Sequence, residues 1–227
     1  MKKTFYTEIS YAIGLVLLAL ATALTQKADF GMSMVVAPAY ILHLKISQFF
    51  PVFSFGMAEY SLQLVLIVLL CLFMRKFKKV YLFSFVTAVI YGFMLDFFIF
   101  TLKAVPGDIM AVRIALFIAG MLICSLGVAL LFHSYFAPEA YELVVKEVSL
   151  KLNKRISRVK TVYDLTSLLV SVILSFVFFG FMHFEGVNIG TLITALCNGF
   201  IIGRISAFLD RKFDFKDRLK MRAFLEK

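Results

Sequence analysis

The sequence predicts an all-α integral membrane protein: six transmembrane helices forming two inverted-topology three-helix repeats, each with a short re-entrant or amphipathic segment. Composition is the first reason. Of 227 residues, 62% are hydrophobic and 17% charged, and the mean hydropathy is +0.93, so there is too little polar surface to cover a water-soluble globule of this length. The second reason is six charge-free or nearly charge-free runs, at 11–26, 56–74, 80–102, 114–132, 161–182 and 187–202. The third is internal repetition. Thr87, Ala88 and Gly92 recur as Thr194, Ala195 and Gly199 at a spacing of 107, and Gly14, Ala23, Leu24 and Phe30 recur as Gly120, Ala129, Leu130 and Phe136 at a spacing of 106. Duplicated spans are typical of membrane proteins whose halves rock around a shared site.

A span needs ~20 predominantly apolar residues, with about 17 as the lower limit. The first and last runs therefore take in flanking residues such as Ser10, Gly186 and Gly203. The expected organisation is a first membrane repeat over 1–107, a second over 108–210 and a basic cytoplasmic tail over 211–227. Orientation follows from the net charge of +10 and where it sits. Arg75, Lys76, Lys78 and Lys79 fill one loop, Lys151, Lys154, Arg155, Arg158 and Lys160 another, and Arg211, Lys212, Lys216, Arg218, Lys220 and Arg222 the tail, while the alternate loops hold little charge. This segregation places the basic loops, the C-terminus and, with Lys2 and Lys3, the N-terminus in the cytoplasm. It also argues against nucleic acid as a partner, which would need a basic stripe interleaved with stacking aromatics outside the membrane. Lys2 and Lys3 ahead of an apolar stretch with small residues at Ala19, Ala21 and Ala23 also fit a secretory leader. The match of Gly14, Ala23 and Leu24 to residues in mid-chain favours a retained first span.

Span one runs outward and span two inward, so 27–55 begins and ends outside. Its apolar part, 32–44, is short for a crossing, and Pro38 is expected to interrupt it as a helix. A re-entrant or interfacial segment is expected. A full crossing there would instead give parallel repeats and put Lys2 and Lys3 outside. Inversion is favoured because the second-half counterpart, 138–152, carries Glu139, Glu142, Lys146, Glu147 and Lys151, a charge density incompatible with lipid. With Pro138 suited to a first helical turn and Glu142 and Lys146 four apart, this stretch reads as an amphipathic helix on the cytoplasmic face.

Polar residues inside spans mark candidate sites. Asp96 lies about two-thirds along span three, where a carboxylate needs a cavity or a partner; it serves either proton or cation coupling or a structural pair. Glu59, in the first turn of span two, reads as solvated, and Gln63 one turn on extends a polar stripe inward. Asp164 reads as a local ion pair with Arg158 or Lys160. Asn198 stands near the middle of span six beside Gly199, and its repeat partner is Tyr91 beside Gly92. Two polar side chains at corresponding depths fit a midplane site, while the glycines fit close helix packing. Arg204, at the inner end of span six, either snorkels or binds an anionic group. The expected solute-binding set is thus Tyr91, Asp96, Asn198, Gln63 and Arg204.

Catalytic, cofactor and metal sites are not expected. Cys71, Cys124 and Cys197 lie within or at the end of spans, and His43, His133 and His183 are scattered singly without ligand spacing. The sequence has no nucleotide-binding glycine motif, nucleophile elbow or zinc motif.

The run Ala28-Asp29-Phe30-Gly31-Met32-Ser33, a span opening with Gly56, and the Thr87-Ala88, Gly92 and Asp96 segment resemble the first half of the YitT/YczE-type bacterial membrane proteins. Ala137-Pro138-Glu139, then Ser157-Arg158-Val159-Lys160-Thr161 with Asp164-Leu165, then Asn188-Ile189-Gly190-Thr191 with Ala195 and Gly199 continue the resemblance in the second half. It implies a multi-pass protein of the bacterial plasma membrane, of largely unassigned biochemistry and often suspected of transport. The expected function is a small-solute secondary transporter or solute-binding membrane protein, with the lipid bilayer and an unidentified small solute as partners. The alternative is a non-transporting scaffold or regulator whose basic cytoplasmic surface holds a partner or anionic lipid.

Overall fold

The computed structural model describes residues 3–106, 109–136, 139–154, 156–180 and 185–219. Its order is β1 (Lys3–Tyr6), α1 (Thr7–Ala28), α2 (Ala37–Ile46), α3 (Phe55–Met74), α4 (Lys79–Leu102), α5 (Met110–Phe132), α6 (Ala140–Leu152), α7 (Ile156–Phe179), α8 (Ile189–Lys212) and β2 (Phe213–Lys216). Six helices, α1, α3, α4, α5, α7 and α8, are long and apolar enough to cross a membrane. The chain is a multi-pass membrane protein. Its outer faces carry exposed Leu64, Val68, Phe97, Leu169, Val177 and Leu196, an apolar rim of the kind a bilayer covers.

The ends of these helices are set by local chemistry. Asp29 stops α1, Arg75 stops α3 and Asn153 stops α6, each in the left-handed conformation; at Asp29 and Asn153 the backbone N–H bonds back to the last turn. Ser54 opens α3 by accepting from the Met57 N–H, and Asn188 opens α8 in a reciprocal capping box with Thr191. Pro38 does not interrupt a helix as expected. It occupies the first turn of α2, where an amide hydrogen has no intrahelical partner to lose.

The centre of the bundle is the crossing of α1 and α5. Gly14 faces Gly127 and Leu131, while Gly120 faces Ala21 and Thr25, so the two helices run antiparallel. A Cβ on Gly14 would stand 2.9 Å from the Gly127 carbonyl oxygen, and one on Gly120 would stand 2.7 Å from Thr25. Small residues bring the backbones together where water supplies no driving force. On this pair, α4 packs against α1 and α8 against α5. Helix α3 lies on α4 with Gly56 and Gly92 backbone to backbone, leaving no room for a side chain on either.

The two short helices enter the bundle between α3 and α7. Helix α2 ends where α7 ends, with the Lys45 ammonium 3.5 Å from the Phe178 carbonyl, and α6 ends where α3 ends, with Lys151 donating to the Phe73 carbonyl. The helix expected over this stretch is present as α6, with Lys146 and Leu150 on an exposed stripe, but more of it is enclosed than a surface helix would be. Tyr141, Leu143, Val145, Glu147 and Ser149 are all buried, because α6 packs against α3, α4 and α7. Its charges are matched inside the protein: Glu147 receives Lys78 at 2.6 Å and Glu142 receives Lys160 at 3.3 Å. Lys160 also pairs with Asp164 at 3.3 Å, the local ion pair anticipated for that residue.

Two strands that the sequence pattern does not announce close the fold. β1 and β2 pair in parallel, Lys3 opposite Phe213 through Tyr6 opposite Lys216, with the Phe5 ring against Phe213 and Phe215. Thr7 donates to Asp217, and Glu8 accepts from the N–H groups of Arg218 and Leu219. Both ends of the described chain therefore lie on one face.

Candidate functional site

The N-terminal tips of both short helices lie inside the bundle, and each meets a different set of polar groups. At the α6 tip, Gln63 of α3 accepts from the Ala140 N–H at 3.0 Å and donates to Glu139 Oε2 at 3.2 Å. The same amide nitrogen stands 3.5 Å from Glu59 Oε2, which also accepts from the Tyr141 hydroxyl at 2.8 Å. Glu59 and Gln63 are fully buried and Glu139 is 4% exposed. The remaining oxygen of each carboxyl, Oε1, is buried without a partner. No lysine or arginine pairs with either acid among the described residues.

A carboxylate buried without a paired cation is costly, so burial favours its neutral form. Burial, and then the neighbouring Glu59 and Glu142, hold the Glu139 carboxyl well above the usual range, against a smaller opposing effect of the Gln63 amide. Burial and Glu59 likewise push the Tyr141 hydroxyl up.

The α2 tip borders a cavity of about 20 Å³ lined by Thr22 and Thr25 of α1, Ser33, Cys124 of α5, and Thr194 and Asn198 of α8. That is room for about one water molecule. The Asn198 Oδ1 beside it is buried without a partner. Tyr91 joins the two tips: it is fully buried, its hydroxyl donates to Thr22 at 2.9 Å, and it lies within electrostatic range of Glu59 and Glu139. Beyond Thr25 and Met32, a second cavity of about 230 Å³ opens, lined by Gln26, Asp29, Tyr40, Arg113, Glu185 and Asn188. Arg113 is fixed in its wall, donating to the Ala28 carbonyl at 2.9 Å and to Asp29 Oδ2 at 3.0 Å. A larger groove of about 470 Å³ runs along the outer side of α3 and α4, lined by Leu64, Val68 and Phe85; it is apolar and separate from these groups.

Three residues singled out from the sequence, Tyr91, Gln63 and Asn198, fall in this one centre. Asp96 does not. Its carboxylate accepts from Ser54 Oγ at 2.5 Å and from the Gly56 N–H at 2.8 Å, which makes it the external cap of α3. Arg204 is exposed, with its guanidinium 4.9 Å from the Phe200 ring centroid, and reaches neither cavity. Glu59, expected in solvent, is enclosed because α2 packs over the first turn of α3, with Tyr40 against Phe55 at 5.1 Å, and the α6 tip meets Gln63. Glu139, expected on a cytoplasmic surface, is the acid at the centre. One signal in the sequence leads to it: the spacing of 106 that links Phe30 to Phe136 also links Ser33, at the α2 tip, to Glu139 at the α6 tip. Ala137 and Pro138, which belong to the second turn motif, and His183 lie outside the described residues.

The model of a family of unknown function, DUF6198, matches residues 5–207. The chain belongs to that family. The matched region takes in α1 to α7 and most of α8, with every polar group of the two tips. No curated protein and no solved structure matches the chain.

Proposed function

We propose that the protein is a small-solute secondary transporter built from two inverted halves, with its solute site where the α2 and α6 tips approach Tyr91 and Asn198. The carrying observation is the cavity beside Asn198, whose carbonyl oxygen is buried without a partner. A buried orphan acceptor costs ~1–3 kcal/mol, a cost that ligand or water removes. Inversion is supported by the antiparallel α1 and α5, since parallel repeats would align them. It is supported too by the contact of Gly14 with Gly127 being matched, 106 positions on, by that of Gly120 with Ala21. In the same way α2 ends beside the end of α7, and α6 beside the end of α3. Broken or inserted half-helices at the junction of inverted repeats are the usual builders of solute sites in transporters. In this reading the basic loops and both ends face the cytoplasm of a bacterial plasma membrane, and the larger cavity is the outer vestibule.

A scaffold or regulatory role is the second reading, favoured by Asp96 being wholly engaged as a helix cap. A thermal-shift screen of purified protein against metabolites separates the two, because a ligand of the native state raises apparent stability by about 2.7 kcal/mol at a concentration 100 times its Kd. We expect a stabilising small solute whose effect disappears in Asn198→Leu while membrane insertion is unchanged. A ligand that stabilises the variant equally removes Asn198 from the site, and a screen without any stabilising solute favours the scaffold.

A further inference from the structure

We propose that Glu59 and Glu139 form a proton-binding site, bridged by the Gln63 amide, and that it is the coupling site of the transporter. The coupling role rests on the transport reading, whereas the proton site stands on its own geometry. One amide nitrogen faces an oxygen of each acid, at 3.5 Å and 3.2 Å, and each acid keeps a second oxygen that is buried without a partner. Such an amide supplies one N–H to each carboxyl and no proton to give up. Each acid therefore has a resting place for a proton on its own unpartnered oxygen. The groups facing the pair do not supply compensating charge. They are Tyr11 from α1, Tyr91 from α4, Cys124 from α5, Tyr141 and Glu142 from α6, and Tyr163 from α7. None of these is a cation; the nearest one on this side, Lys160, is held by Glu142 and Asp164.

The step is simple protonation. An aqueous proton bonds to a carboxylate oxygen to give a neutral acid, and no other bond is made or broken. A route exists along the α6 and α7 interface. Glu142 stands one turn beyond Glu139, its side chain 24% exposed, and is ion-paired with Lys160, which in turn holds Asp164. This cluster leads from the buried pair toward the basic loop that precedes α7. Release of the pair is tied to movement of α6, because Glu139 stands at the N-terminal end of that helix while Glu59 and Gln63 belong to α3. Two negative charges at the tip would repel the α6 end from α3; a neutral pair lets it dock.

Infrared difference spectroscopy of the purified full chain in lipid, titrated from neutral to alkaline pH in H₂O and in D₂O, tests the site with the proton itself as probe. The expected result is a protonated-carboxyl C=O band at neutral pH that shifts in D₂O and fades on alkalinisation. It should fall by about half in Glu59→Gln or Glu139→Gln and vanish in the double variant. A wild-type protein without such a band overturns the proposal whether or not the variants fold, as does a band that survives both substitutions. Exposed Asp214→Asn, remote from both cavities, serves as the control that leaves the band unchanged. A band that behaves as expected in a protein that binds no solute would sink the transport reading and keep the proton site. Solute binding without the band does the reverse.

Discussion

The α3–α4 pair and the α7–α8 pair arise from matching halves of the sequence, yet one is shut and the other open. In the first, Gly56 and Gly92 meet backbone to backbone, and Asp96 ties α4 to the first turn of α3. In the second, α8 packs against α5, with no comparable packing on α7 among the described residues, and nothing stands within 4 Å of a Cβ placed on Gly199 or Gly203. The spacing of 107 explains the difference. It carries Gly92 to Gly199, but it carries Gly56 to Tyr163 and Asp96 to Gly203. The second pair thus has a bulky ring where the first has a glycine, and no carboxylate to act as a cap. Closure of helix on helix in a membrane depends on small residues on both partners. One glycine alone leaves a groove.

The largest test of this comparison is to fill both grooves. Gly56→Leu forces a side chain into the Gly92 backbone and should lower stability by about 1–3 kcal/mol or more, read as a fall in the melting temperature of purified protein in detergent. Gly199→Leu should change it by less than ~0.5 kcal/mol, as at any open position. Equal losses would mean that α8 closes on α7 in the membrane, and the contrast would be lost.

Next in size is an effect of pH at the α6 tip, where Glu139 of the second half meets Gln63 of the closed side. Glu139 keeps its proton in the folded protein to a pH well above 4.5, whereas the unfolded chain releases it near 4.5. Its stabilising contribution is full below pH 4.5 and declines as pH rises toward the folded value. Melting temperature should therefore fall on going from mildly acidic to mildly alkaline buffer, and Glu139→Gln should flatten the profile. A variant with the wild-type slope would assign the dependence to another group.

The smallest effect concerns the cap. Asp96→Ala removes the acceptor for Ser54 and the Gly56 N–H and should cost about 1 kcal/mol in thermal stability. Solute-induced stabilisation should persist in this variant. Its loss would return Asp96 to the binding site.

The six spans were legible because apolar runs of that length have few other uses in a chain so poor in charge. Tyr91 and Asn198 were legible as polar residues at matched positions beside glycines, and Gln63 as the next step of a stripe. The acids were misread for a common reason. Charge density in a short helix ordinarily signals water, and the sequence does not announce that Lys78 and Lys160 come from other elements to neutralise Glu147 and Glu142. Once those two are paired, Glu139 is left at the tip with no basic partner. Glu59 was misread because its exposure depends on what packs across the α3 terminus, a tertiary fact absent from local pattern. Asp96 lies at the depth of a coupling residue but is consumed by a turn 40 positions earlier in the chain.

The parallel strands at the two extremities have a consequence for biogenesis. Thr7 and its acceptor are 210 positions apart, so the clasp forms only after the last crossing has been translated and inserted. Until then the Phe5 ring has its α5 neighbours but lacks those of β2. A nascent molecule stalled before Phe213 would carry its first strand unpaired, whereas one extended past Lys216 holds it in register.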